Sequence, residues 1–179
     1  KWVRQAIESV LCSSYTDFEY LISDDCSNDD TWDIIEEYND VRICKWKIDH
    51  NIGEYPNRKM IVSKASGKYI LFIDGDDVLY KNSLRNLSEY IKAFPTLGMI
   101  WGVSTSANMY VIPPYLFKPE TTLKLLYSDL YHLGVIGFTE TVFNVEALKK
   151  MDNNFPLDLS TGDTYIRKKL ALTENVLFI

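Results

Sequence analysis

Apolar residues at Trp2, Val3, Ala6, Ile7, Val10 and Leu11 recur at steps of three and four, the spacing of one helix face. Phe18 to Ser23 then forms a short aromatic and branched run, a strand stopped by the polar stretch Asp24-Asp25-Cys26-Ser27-Asn28-Asp29-Asp30. Asp30 or Thr31 can cap a second helix whose apolar positions Trp32, Ile35 and Tyr38 keep helical spacing, and Val41 to Ile48 alternates like a strand. A third helix is expected from Pro56 through Ala65, with Gly67 placed to take the left-handed position after its end. Tyr69-Ile70-Leu71-Phe72-Ile73 is unbroken apolar sequence, the pattern of a central parallel strand covered on both faces, and it stops at Asp74-Gly75-Asp76-Asp77.

Beyond that cluster Asn82 can cap a helix with Leu84, Leu87, Ile91 and Phe94 on its inner face, and Met99 to Val103 has strand character. The period weakens from Ser104 to Pro119, where Pro113-Pro114 points to an extended or loop-rich insertion. Thr122 to His132, Val145 to Met151 and Asp163 to Leu172 are expected as helices, and Val176 to Ile179 as a closing strand. Repeated alternation of strand and helix predicts a three-layer α/β/α domain on a mostly parallel sheet, and no linker divides residues 1–179.

Composition narrows the function. With 46% hydrophobic and 25% charged residues the chain is of globular type, and no stretch approaches the about 18 apolar residues of a membrane span. Nineteen Lys and Arg against 25 Asp and Glu give a net charge of −6, which argues against a phosphate-tracking nucleic-acid binder and means that a phosphorylated ligand needs a mediating cation. Cys12, Cys26 and Cys44 make neither a disulfide framework nor a Cys-x-x-Cys pair, which favours a reducing compartment. No leader or lipidation motif is visible, and the opening Lys1-Trp2 without Met is expected of a fragment or a trimmed chain.

The candidate chemistry lies in the acidic clusters. In open α/β sheets ligands bind outside the carboxyl ends of the strands, and Asp24-Asp25 and Asp74-Gly75-Asp76-Asp77 both follow strands. Like charges gathered in one crevice need compensation, which a hard divalent cation supplies when one or two carboxylates share it with phosphate oxygens and water. An Asp-x-Asp is also common in plain turns, so a solvated loop is the bland alternative. A calcium loop fits poorly, because counting from Asp74 puts Val78 and Leu79 at the fifth and sixth positions. A phosphohydrolase of the haloacid dehalogenase type would want Thr where Val78 stands.

Four pieces of sequence carry a resemblance: Ser9-Val10-Leu11; Tyr15-x-Asp17-Phe18-Glu19; Ile22-x-Asp24-Asp25-x-Ser27-x-Asp29-x-Thr31; and Phe72-Ile73-Asp74-Gly75-Asp76-Asp77. Together they resemble a family 2 glycosyltransferase of the GT-A fold, from Lys1 to about Leu97 and again weakly near Asp163. The resemblance implies an inverting, metal-dependent transfer of a sugar from a nucleotide-diphospho-sugar, most commonly a UDP-sugar, to a glycan or lipid-linked acceptor. Residues 1–103 would form the nucleotide-sugar part and 104–179 the acceptor side. It further implies that Asp25 contacts the base, Asp74 lies near the ribose and shares the metal, and Asp76 anchors Mn2+ or Mg2+ on the diphosphate. Asp24 would support the nucleotide loop, and Asp77 is either a second metal ligand or a solvated carboxylate. A cytoplasmic protein follows, with peripheral attachment at the inner face of the membrane as an option.

For catalysis the resemblance points to Asp163, a late acidic residue followed six and seven positions on by a basic and an apolar residue, here Lys169 and Leu170. Family members often have Glu-Asp there, where this chain has the variant Gly162-Asp163, and a helix cap is the ordinary alternative for that Asp. Two departures stand out. The apolar strand that opens family members, ending in a turn that grips the nucleotide, has no counterpart after Lys1. The family's Asn-x-Gly-x-x-x-Ala-x-Asn appears as Asn51 to Lys59, matching in its first half only; Arg58 or Lys59 could reach a phosphate or the base, with a solvated helix face the favoured place for both. Cys26 stands where the family often has Gly and is expected to be a small loop residue. Trp101 and the tyrosines from Tyr110 to Tyr131 could stack on a sugar, with packing the favoured role for Trp101. His50 and His132 lack a second ligand at useful spacing. The alternative from another class is a non-catalytic nucleotide-sugar or glycan binding module.

Overall fold

The computed structural model describes residues 2–102, 114–126, 141–151 and 162–179. In chain order the first elements are α1 (Trp2–Leu11), β1 (Tyr20–Asp24), α2 (Thr31–Glu36), β2 (Ile43–Lys47), α3 (Glu54–Lys64), β3 (Tyr69–Leu71) and α4 (Ser83–Ala93). They are followed by β4 (Leu97–Trp101), β5 (Tyr115–Phe117), α5 (Pro119–Leu126), β6 (Thr141–Asn144), α6 (Val145–Lys150), α7 (Gly162–Ala171) and β7 (Asn175–Phe178). The chain forms two compact units, one of residues 1–67 and 73–93 and one of residues 68–72 and 94–179.

In the first unit the helical spacing of α1 buries Ala6, Ile7 and Val10. Ile7, Ile22 and Ile35 meet in a core cluster with Val3, Leu11, Tyr20, Trp32, Tyr38 and Ile43 packed against it. β1 pairs with β2 in parallel, Ile22 opposite Lys45 and Asp24 opposite Lys47. Lys45 reaches back to the end of α2, where its ammonium donates to the carbonyls of Ile35, Glu36 and Tyr38 at 3.2, 2.8 and 2.8 Å. A cation there satisfies orphan carbonyls and complements the negative end of the helix dipole.

α3 has no broad apolar stripe; its buried residues are Tyr55, Arg58 and Val62. It ends differently from the sequence expectation. Ala65 leaves the helix in an extended conformation, and Gly53 is the only described glycine with positive φ, so Gly67 does not take the left-handed position. The stop is made by Glu19, whose Oε1 accepts from the amides of Ser66 and Gly67 at 2.7 and 2.8 Å. A long-range carboxylate thus does what a local glycine was expected to do.

The second unit holds a five-stranded sheet in the order β3-β6-β4-β7-β5. The α/β class stands, with mixed pairing here: β4 and β7 are parallel, while β3 with β6, β6 with β4, and β5 with β7 are antiparallel. β3, expected as a central strand, closes one end of this order with its residues half-buried, whereas β4 is buried at every position. An apolar run reports how much of a strand is covered and not how many neighbours it has. β5 and β6 were not expected; one lies in the stretch taken as loop and the other immediately before α6, which Asn144 caps by accepting from the Ala147 amide at 3.0 Å. Of the helix expected over Thr122 to His132, the part to Leu126 lies in α5; its remainder, the end of the strand at Val103, and Tyr110, Tyr131 and His132 lie outside the described residues. None of the helices among the described residues is long and apolar enough to cross a membrane.

Candidate active site

β1 delivers the first pair of carboxylates. Asp24, its last residue, is 4% exposed, and its Oδ1 accepts from the Ser27 amide at 3.2 Å and from the Ser27 hydroxyl. Oδ2 is buried without a hydrogen bond, the ammonium of Lys47 lying 4.0 Å away. Asp24 therefore shapes the loop from inside. Asp25, one position on, faces the segment before α3: its two oxygens accept from the amides of Ile52 and Gly53, both at 2.9 Å, and its carbonyl accepts from Asn51 Nδ2 at 3.0 Å. Each carboxylate oxygen retains a second lone pair, so this clamp leaves acceptor capacity for a ligand N–H. Further along, the hydroxyl of Thr31 and, second, its amide hold Asp29 below the usual carboxylate range, which fixes the entry to α2.

The residue after the pair is under backbone strain. Cys26 has φ of 63°, the left-handed region that costs a residue with a Cβ roughly 1–2 kcal/mol and a glycine little. Its thiol returns only a weak contact to the Asp49 carbonyl at 3.6 Å. Cys26→Gly is therefore expected to stabilise the chain by about 1 kcal/mol and raise the melting temperature by about 2–4 °C in calorimetry. A lowered melting temperature would show that the thiol contact outweighs the strain.

The second cluster is a tight turn in which the Asp77 amide donates to the Asp74 carbonyl at 3.0 Å. Asp74 and Asp76 are exposed, Asp77 half-buried. Asp74 Oδ1 accepts from Arg58 Nη2 at 2.7 Å, and Arg58 Nε donates to Glu54 Oε1 at 3.1 Å. Arg58 is 7% exposed, which corrects its expected place on a solvated helix face: two carboxylates, one from its own helix and one from the Asp74 turn, stabilise the buried guanidinium. The sequence admits Arg58 or Lys59 as a contact to a phosphate or the base, but nothing in it points to the Asp74 turn that buries Arg58. Beyond the cluster, the Leu79 amide donates to Ser9 Oγ at 2.9 Å and the Ser14 amide to the Lys81 carbonyl at 2.9 Å, which anchors the loop to the end of α1. Ser9 and Glu19, both in the signature residues, are structural ties.

α3 and the residues that lead into it are thus the common support of both clusters. The Ile52 and Gly53 amides just before the helix hold Asp25, its Glu54–Arg58 pair holds Asp74, and Asn57 Oδ1 accepts from Ser23 Oγ at 2.6 Å on β1.

Asp163 lies in the second unit, in the first turn of α7, where a carboxylate complements the positive end of the helix. Its side chain keeps 26% exposure, and its Oδ2 accepts from Arg167 Nη2 at 2.7 Å. Lys169, the basic residue singled out from sequence, is exposed, and Arg167 is the one that meets the acid. Trp101 packs: it is 9% exposed and stacks on Phe178 with ring centroids 5.3 Å apart.

Among the described residues no group of three His, Cys, Asp or Glu could hold a metal by itself. Asp74 and Asp76 nevertheless suit a hard cation that draws its remaining ligands from a diphosphate and water: both are oxygen donors at an exposed turn, and Asp76 has no hydrogen bond or ion pair among the described residues.

The profile of Glycosyl transferase family 2 matches residues 1–151. The poly(ribitol-phosphate) beta-N-acetylglucosaminyltransferase TarS of Staphylococcus aureus is 27% identical over 183 residues, 98% of this chain and 31% of TarS. The UDP-Glc:alpha-D-GlcNAc-diphosphoundecaprenol beta-1,3-glucosyltransferase WfaP of Escherichia coli is 36% identical over 86 residues, 48% of this chain and 34% of WfaP. In three dimensions the crystal structure of S. aureus TarS 1–349 in complex with UDP-GlcNAc superimposes with a TM-score of 0.77 at 21% identity, covering 99% of this chain and 52% of that one. The mannosyltransferase PcManGT of Pyrobaculum calidifontis, in complex with GDP-Man and Mn2+, gives 0.72 at 16% identity, covering 99% and 52%. The chain spans about half or less of the curated relatives it matches. With the fold of those structures, and with a family profile that runs through both acidic clusters, the chain belongs to glycosyl transferase family 2.

Proposed function

We propose that this chain is the nucleotide-sugar-handling part of an inverting glycosyltransferase that moves a sugar from a UDP-sugar to a glycan or lipid-linked acceptor. The observation that carries the reading is the attachment of both acidic clusters to one segment, since Asp25 is held by the Ile52 and Gly53 amides that lead into α3 and Asp74 by Arg58 within it. Residues 1–103 hold the donor and 104–179 the acceptor side. Asp25 accepts from the base, Asp24 keeps the Asp25 loop in shape, and Asp74, fixed by Arg58, lies at the ribose. Asp76, with Asp74, would hold Mn2+ or Mg2+, and the cation, when bound, neutralises the departing diphosphate. Asp163 takes the acceptor hydroxyl proton as the oxygen attacks the anomeric carbon from the side opposite the diphosphate. The substrates named for relatives support the choice of donor: TarS has been crystallised with UDP-GlcNAc, and WfaP is a UDP-Glc-dependent transferase.

The test is the stereochemistry of transfer. An α-linked UDP-sugar is expected to yield a β-glycoside, read from the anomeric proton coupling of the product by NMR, with one UDP released per sugar transferred. A retained α configuration would overturn the inverting mechanism. UDP binding without transfer to any of a panel of glycan and polyprenyl-diphosphate acceptors would assign the chain instead as a binding module.

A further inference from the structure

Helix α7 carries a charge pair whose two halves live in different environments. Arg167 is 0% exposed, whereas the Asp163 side chain one turn before it is 26% exposed. Arg167 Nη2 donates to Asp163 Oδ2 at 2.7 Å and reaches Thr164 Oγ1 at 3.5 Å. Its guanidinium carbon lies 5.2 Å from the centroid of the Trp101 ring. That ring stacks on Phe178, and the two aromatic residues are register partners at the carboxyl ends of the parallel strands β4 and β7.

An exposed ion pair one helical turn apart is worth little, but this cation has been taken wholly out of water, which is costly. Its neighbours on the buried face of α7, Ile166, Leu170 and Ala171, are apolar, so packing alone would be met by another apolar side chain. An arginine in this place provides something an aliphatic residue does not: a planar fork, fixed by an aromatic face, that holds a carboxylate oxygen in one direction. Lysine would keep the charge and lose that fixity.

We infer that Arg167, clamped on Trp101, is a positioning residue that sets the direction in which Asp163 presents its carboxylate to the acceptor hydroxyl. The inference rests on the reading of Asp163 as base. A support shell of this kind is what a reacting group needs, because a misplacement of about 1 Å costs on the order of 100-fold in rate.

The experiment compares Arg167→Met, Arg167→Lys and Asp163→Asn in steady-state transfer, with rates normalised to the number of UDP-binding sites so that misfolded protein does not count. Arg167→Met is expected to lower kcat by about 100-fold and Arg167→Lys by about 10-fold, with KM for the donor within about twofold in both. A merely structural role would reduce the number of binding sites and leave the rate per site unchanged. Should Arg167→Met not fold, Arg167→Lys carries the test, and a rate per site equal to wild type in that variant overturns the inference. An Arg167 variant with wild-type kcat beside an inactive Asp163→Asn overturns the positioning role and leaves the base in place. An active Asp163→Asn removes the base itself, and the inference with it.

Discussion

Asp163→Asn is expected to lower kcat by about 1,000-fold while leaving UDP affinity within about twofold of wild type. The amide has nearly the shape of the carboxylate and can still accept from Arg167, so helix α7 and its buried arginine stay in place. What it lacks is the capacity to take a proton. General base catalysis contributes about 100- to 10,000-fold, and the loss falls on kcat because a proton acceptor acts only in the transition state. UDP release in the presence of acceptor, measured beside calorimetric UDP binding on the same sample, separates the two quantities. A variant that kept more than about a tenth of the wild-type rate would place the base elsewhere.

Asp76→Ala is expected to abolish the manganese dependence of UDP binding. In wild type, titration of UDP with manganese present should give at least about tenfold tighter binding than without it, a difference of about 1.4 kcal/mol, and the variant should bind equally weakly in both. Asp76 is suited to this test because its side chain is exposed and has no hydrogen bond or ion pair among the described residues, so its removal breaks no polar contact of the fold there. Asp24 would be a poor choice, since it is buried against Ser27 and its replacement would loosen the loop. Binding that remained manganese-dependent in Asp76→Ala would transfer the metal to other ligands.

Both predictions begin from residues that the sequence exposes. Runs of carboxylates directly after apolar segments are legible because nothing in a packed core calls for them, and the ordered pieces around Ser9, Glu19, Asp24-Asp25 and Asp74 to Asp77 identified the family before any coordinate. The partners of those carboxylates were not legible. A solvated face is the ordinary place for an arginine on a helix without a broad apolar stripe, and the burial of Arg58 accompanies its pairing with the distant Asp74 turn as well as with Glu54. Lys169 enters through its spacing from Asp163 in the resemblance, and nothing in that spacing shows that Arg167 is the cation turned inward. β5 and β6, of three and four residues, are too short to show a period, and β3 earned a central position from its composition that the sheet order gives to β4. In each case the deciding interaction joins residues distant in sequence.

The two carboxylates that grip the ends of α3 come from the two ends of one strand. Asp25 follows β1 and takes the amides of Ile52 and Gly53; Glu19 precedes β1 and takes those of Ser66 and Gly67. Helix and strand therefore run in opposite directions with matched spans. Six steps of extended chain from Glu19 to Asp25 cover about 20 Å, and the interval from Gly53 to Ser66, which is the helix Glu54–Lys64 with a residue or two of non-helical chain at either end, bridges the same two ties. The pair works as a gauge. Losing or gaining one residue in either arm shifts one tie by about 1.5 Å in the helix or about 3.3 Å in the strand, and a shifted tie would carry Arg58 away from Asp74. The turn between α2 and β2, where Val41 stands fully in solvent, lies outside the gauge, and a residue inserted there is expected to leave both ties in place.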